Sequence, residues 1–273
     1  MTELNAAREA APSGVDVNTP SIARVYDFFL DGKDNYASDR EVAQALLDIV
    51  PEAAIVARAN RAVLRRAVRY LVGEAGIRQF LDIGSGLPTA GNVHEIAHEI
   101  DPDTRVVYVD NDPIVLVHGR ALLADNKTTV VVQADARRPR EILEHEATRE
   151  MLDLDRPVAV LLAGLLHHIE DQDDPKGIAA ELRDAVPSGS HLLITHFCDP
   201  GDDPLTDPMR AALRAKMSGF VDRRREVIAE FFEGLEMVSP GLVHLHEWRP
   251  DAEAQEQDHP LQRFMVAGLA RKP

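Results

Sequence analysis

The amino-acid sequence predicts an α/β fold in which a mostly parallel sheet carries helices on both faces, behind a helical N-terminal extension. Three observations point there. From Arg78 onward, short apolar runs alternate with longer helical segments, the pattern of a sheet covered on both sides. Asp-Pro recurs where helices begin, at Asp112-Pro113, Asp174-Pro175 and Asp207-Pro208; Asp caps free N–H groups, and Pro has no N–H to lose in a first turn. Ahead of Arg78 the apolar spacing is helical, with Ile22, Val25, Tyr26 and Phe29 on one stripe.

In chain order, residues 1–20 are polar and rich in Ala, Pro and Gly, and read as a flexible tail. Residues 21–76 read as a helical extension or lid. It holds a first helix, a loop at Asp31-Gly32-Lys33-Asp34-Asn35-Tyr36, and helices over 38–50 and 52–73. The last carries Arg58, Arg61, Arg65, Arg66 and Arg69, read chiefly as a solvated face. Residues 77–273 form the main domain. Strands are expected over 79–83, 105–109, 128–133, 157–163 and 191–197, with helices near 90–100, 113–124, 139–152 and 176–186. Helices near 207–217 and 221–233 follow. The apolar runs 242–248 and 264–269, joined by a polar stretch, suit an antiparallel hairpin at one sheet edge. Arg223-Arg224-Arg225 reads as a helix start with a solvated face.

Length and composition bound the function. At 273 residues with 45% hydrophobic content, the chain can bury a large core in one main domain. A net charge of −16 repels nucleic-acid phosphates and anionic lipid, so a small-molecule partner is expected, with no nucleic acid and no membrane. The single cysteine, Cys198, permits no intrachain disulfide, and the N-terminus carries no apolar leader core; both fit a cytoplasmic setting. Oligomeric state is not legible.

The most informative segment is Phe80-Leu81-Asp82-Ile83-Gly84-Ser85-Gly86-Leu87-Pro88-Thr89, a strand running into a Gly-rich turn and a helix. Gly84 and Gly86 let the backbone turn sharply and let a ligand approach the main chain. The second strand ends in Asp110, where a carboxylate can accept both hydroxyls of a ribose. The third is followed by Ala134-Asp135, where an acid can accept from an adenine amino group. Ligands of open α/β sheets bind outside these strand ends.

Asp-x-Gly-x-Gly, Val-Asp and Ala-Asp together resemble the first three motifs of class I S-adenosylmethionine-dependent methyltransferases. The run Ser21-Ile22-Ala23-Arg24-Val25-Tyr26-Asp27, Asp31 to Tyr36, Asp82 to Thr89, Val109-Asp110-Asn111-Asp112-Pro113 and Leu166-His167-His168 resembles an actinobacterial "S-adenosyl methyltransferase" family, formerly a domain of unknown function. The resemblance spans about residues 20–270. It implies a Rossmann-like seven-stranded sheet with a reversed last strand and S-adenosylmethionine as cofactor. It implies that Asp82, Gly84, Ser85 and Gly86 line the methionine end, that Asp110 holds the ribose with Asn111 beside the adenine, and that Asp135 and the backbone of Ala136 hold the adenine edge. Arg61 is a candidate partner for the methionine carboxylate, because Arg binds carboxylates bidentately. Tyr26, Asn35 and Tyr36 are candidates for lid contacts. His167 and His168, after the fourth strand, are the candidate base, since imidazole suits proton transfer near neutral pH.

Two other readings use the same residues: a non-catalytic binder of the same cofactor, and a nicotinamide-dependent oxidoreductase. Thr89, where a dinucleotide fingerprint has its third Gly, counts against the latter. His94-Glu95-Ile96-Ala97-His98 matches a zinc-protease helix pattern but is read as structural, because the core stripe of that helix is Val93, Ile96, Ala97 and Ile100; no metal is expected.

Overall fold

A computed structural model describes residues 15–88, 91–122, 126–204, 206–217, 219–251 and 259–273. Most of the expected tail, and Thr89, lie outside these residues. Three helices come first: α1 (Ile22–Phe29), α2 (Ala37–Ile49) and α3 (Ala53–Gly73). Then β1 (Gln79–Ile83), β2 (Arg105–Asp110), β3 (Thr129–Gln133), β4 (Ala159–Ala163) and β5 (His191–Phe197) alternate with helices. These are α4 (Val93–His98), α5 (Pro113–Leu122), the pair α6 (Pro139–Glu144) and α7 (Glu146–Met151), and α8 (Pro175–Asp184). After β5 come α9 (Asp207–Lys216), α10 (Arg225–Ala229) and the short strands β6 (Glu236–Met237) and β7 (Val243–His244), and then β8 (Met265–Arg271).

The strand order is β3-β2-β1-β4-β5-β8-β6, with β7 also pairing β8. β1 to β5 are parallel, and β8 runs antiparallel to β5 from Phe197↔Met265 to His191↔Arg271. The sheet is therefore seven positions wide. Its outermost position is split into two-residue pieces: β6 against Ala270 and Arg271, and β7 against Val266 and Ala267. The order reverses between β1 and β4, which opens a crevice at their C-terminal ends.

The continuous apolar strands serve two cores, because side chains alternate across a strand. Phe80, Val106, Tyr108, Leu161 and Leu193 face α3 and α4 together with Trp248 and Phe264. Leu81, Ile83, Val107, Val109, Leu162 and Ile194 face α6 and α8 together with Phe231 and Phe232. Helix α3 buries Val56, Val63, Ala67 and Leu71 in the first of these cores.

Several elements are shorter than periodicity suggests. The helix expected over 139–152 breaks at His145, whose extended backbone ends α6 while its Nδ1 accepts the Ala147 N–H and caps α7. The one expected near 90–100 starts only at Val93, where Asn92 and Glu95 form a capping box. Of the run 242–248 only Val243 and His244 pair; Leu245–Glu247 coil into a 3-10 turn that buries Leu245. Arg66 also departs from the solvated face expected of it: it is buried, donating from Nε to the Trp248 carbonyl and from Nη2 to that of Leu245, both at 2.9 Å.

Two buried aspartates organise the N-terminal helices. Asp39 Oδ1 accepts the Ser21 N–H at 2.9 Å, and Oδ2 accepts that of Tyr36 at 2.8 Å and faces Arg24 Nε at 3.0 Å. Asp27 Oδ2 accepts from the Asp34 N–H and from Asn35 Nδ2. A Cβ on Gly32 would lie 1.9 Å from Asp27 Oδ1, so the Asp31–Tyr36 loop is wrapped around this carboxylate and admits no side chain there. The Ser21 hydroxyl bonds Asp112 at the start of α5, tying α1 to the sheet. Removing one member of the buried Arg24–Asp39 pair strands the other. Asp39→Ala is therefore expected to lower unfolding free energy by about 3–5 kcal/mol in urea titrations, whereas Glu41→Ala on the exposed side of α2 should change it by less than about 0.5 kcal/mol.

Candidate functional site

The turn after β1 is built by hydrogen bonds from its neighbour. Gly84 and Ser85 donate their N–H groups to the Val109 carbonyl of β2. Gly86 donates to Asp110 Oδ2 at 2.8 Å. Gly84 and Gly86 sit at φ of +71° and +67°, which glycine adopts freely. A Cβ at Gly84 would lie 2.7 Å from Leu165 Cδ1, so the turns after β1 and β4 meet there. Asp110 Oδ1 accepts from the Asp112 N–H at 2.9 Å. The Asn111 N–H bonds the same carboxylate, and with about four lone-pair sites on its two oxygens accepting capacity remains for a ligand.

These strand ends open into a cavity of about 870 Å³, within the range of small-molecule sites. Its walls include Arg61, Asp82, Gly84, Ser85, Gly86, Asp110, Asn111, Asp135, Ala136, His167 and His168. The structure thus brings together all the predicted site residues except Tyr36 and Asn35. Tyr36 is not in the wall; its ring packs against the Leu87–Ile114–Val115 cluster under the Arg24 guanidinium, 5.3 Å from the centroid. Asn35 is likewise occupied by Asp27. Tyr26 does line the cavity, its hydroxyl donating to the Ala57 carbonyl and accepting from Asn60.

The carboxylates differ. Burial pushes Asp82 up to about 7, against the pull of the Arg61 guanidinium and with the push of Asp110. Burial also raises Asp110, partly offset by its backbone hydrogen bonds. Asp135 is held low by Arg137, whose Nη2 lies 2.6 Å from its Oδ2; part of its accepting capacity is therefore spent inside the chain.

His167 and His168 lie on a 3-10 turn, Leu166–His168. Burial drives His167 well below the usual imidazole range and His168 to about 4. Both are neutral at pH 7, and neither Nδ1 has a partner. Behind them stands a residue that sequence reasoning misplaced. Arg223, expected on a solvated face, is buried. It donates to the carbonyls of Leu166 and Ile169, to Asp171, and to His196 Nε2 at 3.0 Å. Because Arg can only donate, His196 must carry its proton on Nδ1, which donates to the Phe197 carbonyl at 2.7 Å. Burial drives His196 to about 3.

Asn60 was also missed. It is buried beside the Gly164 turn, and its Oδ1 has no partner. The signal was available: Ala57, Asn60 and Leu64 share one face of α3, so a polar group sits on an apolar stripe. In the zinc-protease pattern, His94 pairs with the Tyr108 hydroxyl and His98 with the Thr104 carbonyl.

The polar inventory fits an adenosyl amino acid. Asp110 has spare accepting capacity for a diol, Ser85 Oγ and Asn60 Oδ1 are buried without partners, and Gly84 and Gly86 carry no side chains.

Two outcomes follow for stability. The unfolded chain takes up a proton on His168 below pH 6.5 while the native chain refuses it down to about 4. Stability should therefore fall with acidification across that window, by up to about 1.4 kcal/mol per pH unit for each such histidine. The slope of urea-derived stability against pH should be shallower in His168→Gln. Arg223→Met, which removes the Arg223 bonds to the Ile169 carbonyl and to His196 Nε2 and one of two bonds to the Leu166 carbonyl, should cost about 3 kcal/mol in the same titration, with Arg223→Lys recovering only part.

Comparisons with known proteins agree with this architecture. A family model described as S-adenosyl methyltransferase matches residues 8–273. A DUF574 family protein of Streptomyces avermitilis MA-4680 is 41% identical over 94% of this chain and 99% of its own, with a TM-score of 0.90. A Thermobifida fusca YX protein described as a candidate methyltransferase is 43% identical over 96% and 98%, also at 0.90. The N-methyltransferase NodS of Bradyrhizobium japonicum WM9, solved with S-adenosyl-L-homocysteine, shares the fold alone: 13% identity, TM-score 0.51, covering 92% of this chain and 99% of its own. Among curated proteins, none matches. With its whole main domain matched and two relatives above 40% identity, the chain belongs to the S-adenosyl methyltransferase family, whose cofactor is S-adenosylmethionine.

Proposed function

We propose that this chain is an enzyme that transfers the methyl group of S-adenosylmethionine to a small-molecule acceptor. The observation that carries the reading is one continuous cavity that joins the acid-bearing ends of β1–β3 to the histidine pair after β4, His167 buried and His168 half-buried. Bound S-adenosylmethionine supplies a methyl group already activated on a sulfonium, so the protein's task is alignment and exclusion of water.

In this reading Asp110 accepts from the ribose hydroxyls through its remaining accepting capacity. Asn111 flanks the adenine, and Asp135 with the Ala136 backbone meets its edge, Asp135 sharing its charge with Arg137. Gly84, Ser85 and Gly86 let the ligand lie against the main chain. Asp82 and Arg61 serve the charged methionine end. His167 or His168 receives the acceptor's proton where the acceptor has one to lose. Residues 21–76 act as a cover over the site of the 77–273 domain, with α1 and the loop before α2 as its edge. A small acceptor suits a net charge of −16 and a cavity rather than an open groove. No helix among the described residues is long and apolar enough to cross a membrane; a cytoplasmic setting also accommodates the unpaired, buried Cys198.

Titration calorimetry with S-adenosylhomocysteine tests the reading. Binding is expected, and Asp110→Ala should weaken it at least tenfold, a loss of about 1.4 kcal/mol or more. With S-adenosylmethionine, a cationic ligand arriving beside a carboxyl poised at about 7 should expel a fraction of a proton at pH 7. Repeating the titration in buffers of different ionisation enthalpy measures that fraction, which Asp82→Asn should abolish. No heat with either ligand would sink the proposal.

A further inference from the structure

The cavity is chemically lopsided, and the sheet order shows how. Neighbouring strands lie about 4.8 Å apart, so the wall runs from Asp135, beyond β3, to Met265, at the start of β8, across five strand spacings. The lining carboxylates all belong to the ends of β1, β2 or β3: Asp82 lies within β1, Asp110 ends β2, and Asp112 and Asp135 come two residues past β2 and β3. Asp16 belongs to the same side, since the adjoining Val15 packs on Leu87, Ile114 and Val115. Past the histidines the character changes. Phe197 ends β5 with its ring 4.6 Å from that of His167. Met209 and Leu213 of α9 and Leu46 of α2 join it in the wall. Among the described lining residues of that half, the only charged side chain is Lys216, which is exposed at the end of α9.

Resting on the methyltransferase reading above, we propose that this second half is the acceptor site, that it takes an uncharged, largely apolar aromatic molecule bearing a hydroxyl, and that the methyl group goes to that oxygen. A protonated amine would lose its water here with no carboxylate to face, and burying an unpaired charge is costly. A carboxylate would meet two uncharged imidazoles, because the one cation of the described lining there, Lys216, is exposed at the end of α9. A neutral hydroxyl meets neither cost: its O–H donates to the unprotonated nitrogen of a neutral imidazole while its ring lies among Phe197, Met209 and Leu213. In the transfer, a lone pair on the acceptor oxygen forms the bond to the methyl carbon. The carbon–sulfur bond breaks with its electrons going to sulfur, leaving S-adenosylhomocysteine. The hydroxyl proton passes to the imidazole and then to solvent, so the positive charge lost at sulfur reappears on the histidine. Arg223, fixed behind the pair, opposes lasting protonation and returns the imidazole to its neutral form.

The test uses calorimetry on the full chain saturated with S-adenosylhomocysteine, with three probes of one shape: 2-naphthol, 2-naphthoate and 2-naphthylmethylammonium. 2-Naphthol should bind at least tenfold tighter than either charged analogue. Met209→Trp and Leu213→Trp, which fill the apolar half, should weaken it at least tenfold while S-adenosylhomocysteine affinity stays within twofold. With S-adenosylmethionine, mass spectrometry should find 2-methoxynaphthalene, and less of it with His167→Gln or His168→Gln. Should either Trp variant fail to fold, the ranking of the three probes on the wild-type chain decides. A charged probe that binds as tightly as 2-naphthol, or no naphthol binding by a chain that binds S-adenosylhomocysteine, overturns the acceptor assignment and leaves the methyltransferase reading standing. Failure of S-adenosylhomocysteine itself to bind removes the reading beneath it.

Discussion

The site depends on one carboxylate closing one turn. Asp110 Oδ2 takes the Gly86 N–H and Oδ1 that of Asp112, so a single side chain fixes the glycine turn after β1 and the entry into α5. Both segments carry backbone N–H groups that have no partner within their own elements, and both lie at the crevice where strand order reverses. Gly84, pressed against Leu165, joins the turn after β4 to the same arrangement. The histidine turn thereby acquires a fixed relation to the acidic strand ends without any direct bond between them.

Charge is distributed along the cavity by burial as much as by residue identity. Asp82 and Asp110 are both raised by desolvation, so the apo site resists holding two carboxylates and is receptive to a cationic ligand. Beyond β4 the same desolvation acts on histidines and keeps them uncharged. Arg223 is a buried charge inserted behind that region, paired with Asp171. Its fork of donors reaches the Ile169 carbonyl and adds a second bond to the Leu166 carbonyl, which already accepts the Ile169 N–H, and its charge disfavours a second cation on His167 and His196. One side chain therefore shapes the turn and biases its protonation.

The N-terminal helices are joined to the site through polar groups rather than through a hydrophobic face alone. Asp39 gathers Ser21, Arg24 and Tyr36; Asp27 gathers Asp34 and Asn35; Ser21 reaches Asp112, two residues past Asp110. The Asp-Gly-Lys-Asp-Asn-Tyr segment thus serves to fix the connection between α1 and α2, and Tyr36 spends its ring on packing. That is why a motif specific enough to mark the family contributes little surface to the cavity.

Periodicity and turn chemistry are local, and what depends on them was legible in the residues alone. The five parallel strands, the glycine turn, the acids at or near the ends of β1 to β3 and the Asp-Pro helix starts each leave a signature within about ten residues, whereas the reversal of β8 against β5 comes from the family resemblance. Arg66 and Arg223 look from their neighbours like solvated charges, and nothing local says that Trp248, Leu245, Leu166 and Ile169 will offer them carbonyls. Asn60 was readable as a polar break in an apolar stripe, but its place beside Gly164 was not. The split outer edge of the sheet escaped because two-residue strands have no period. The neutrality of the histidine pair was also beyond reach, since desolvation is set by everything packed around a group. Sequence thus specified the elements and the acids they carry. Only the folded chain, by bringing residues more than a hundred positions apart into contact, decided which charges are buried, which are neutral, and where the cavity turns from acidic to apolar.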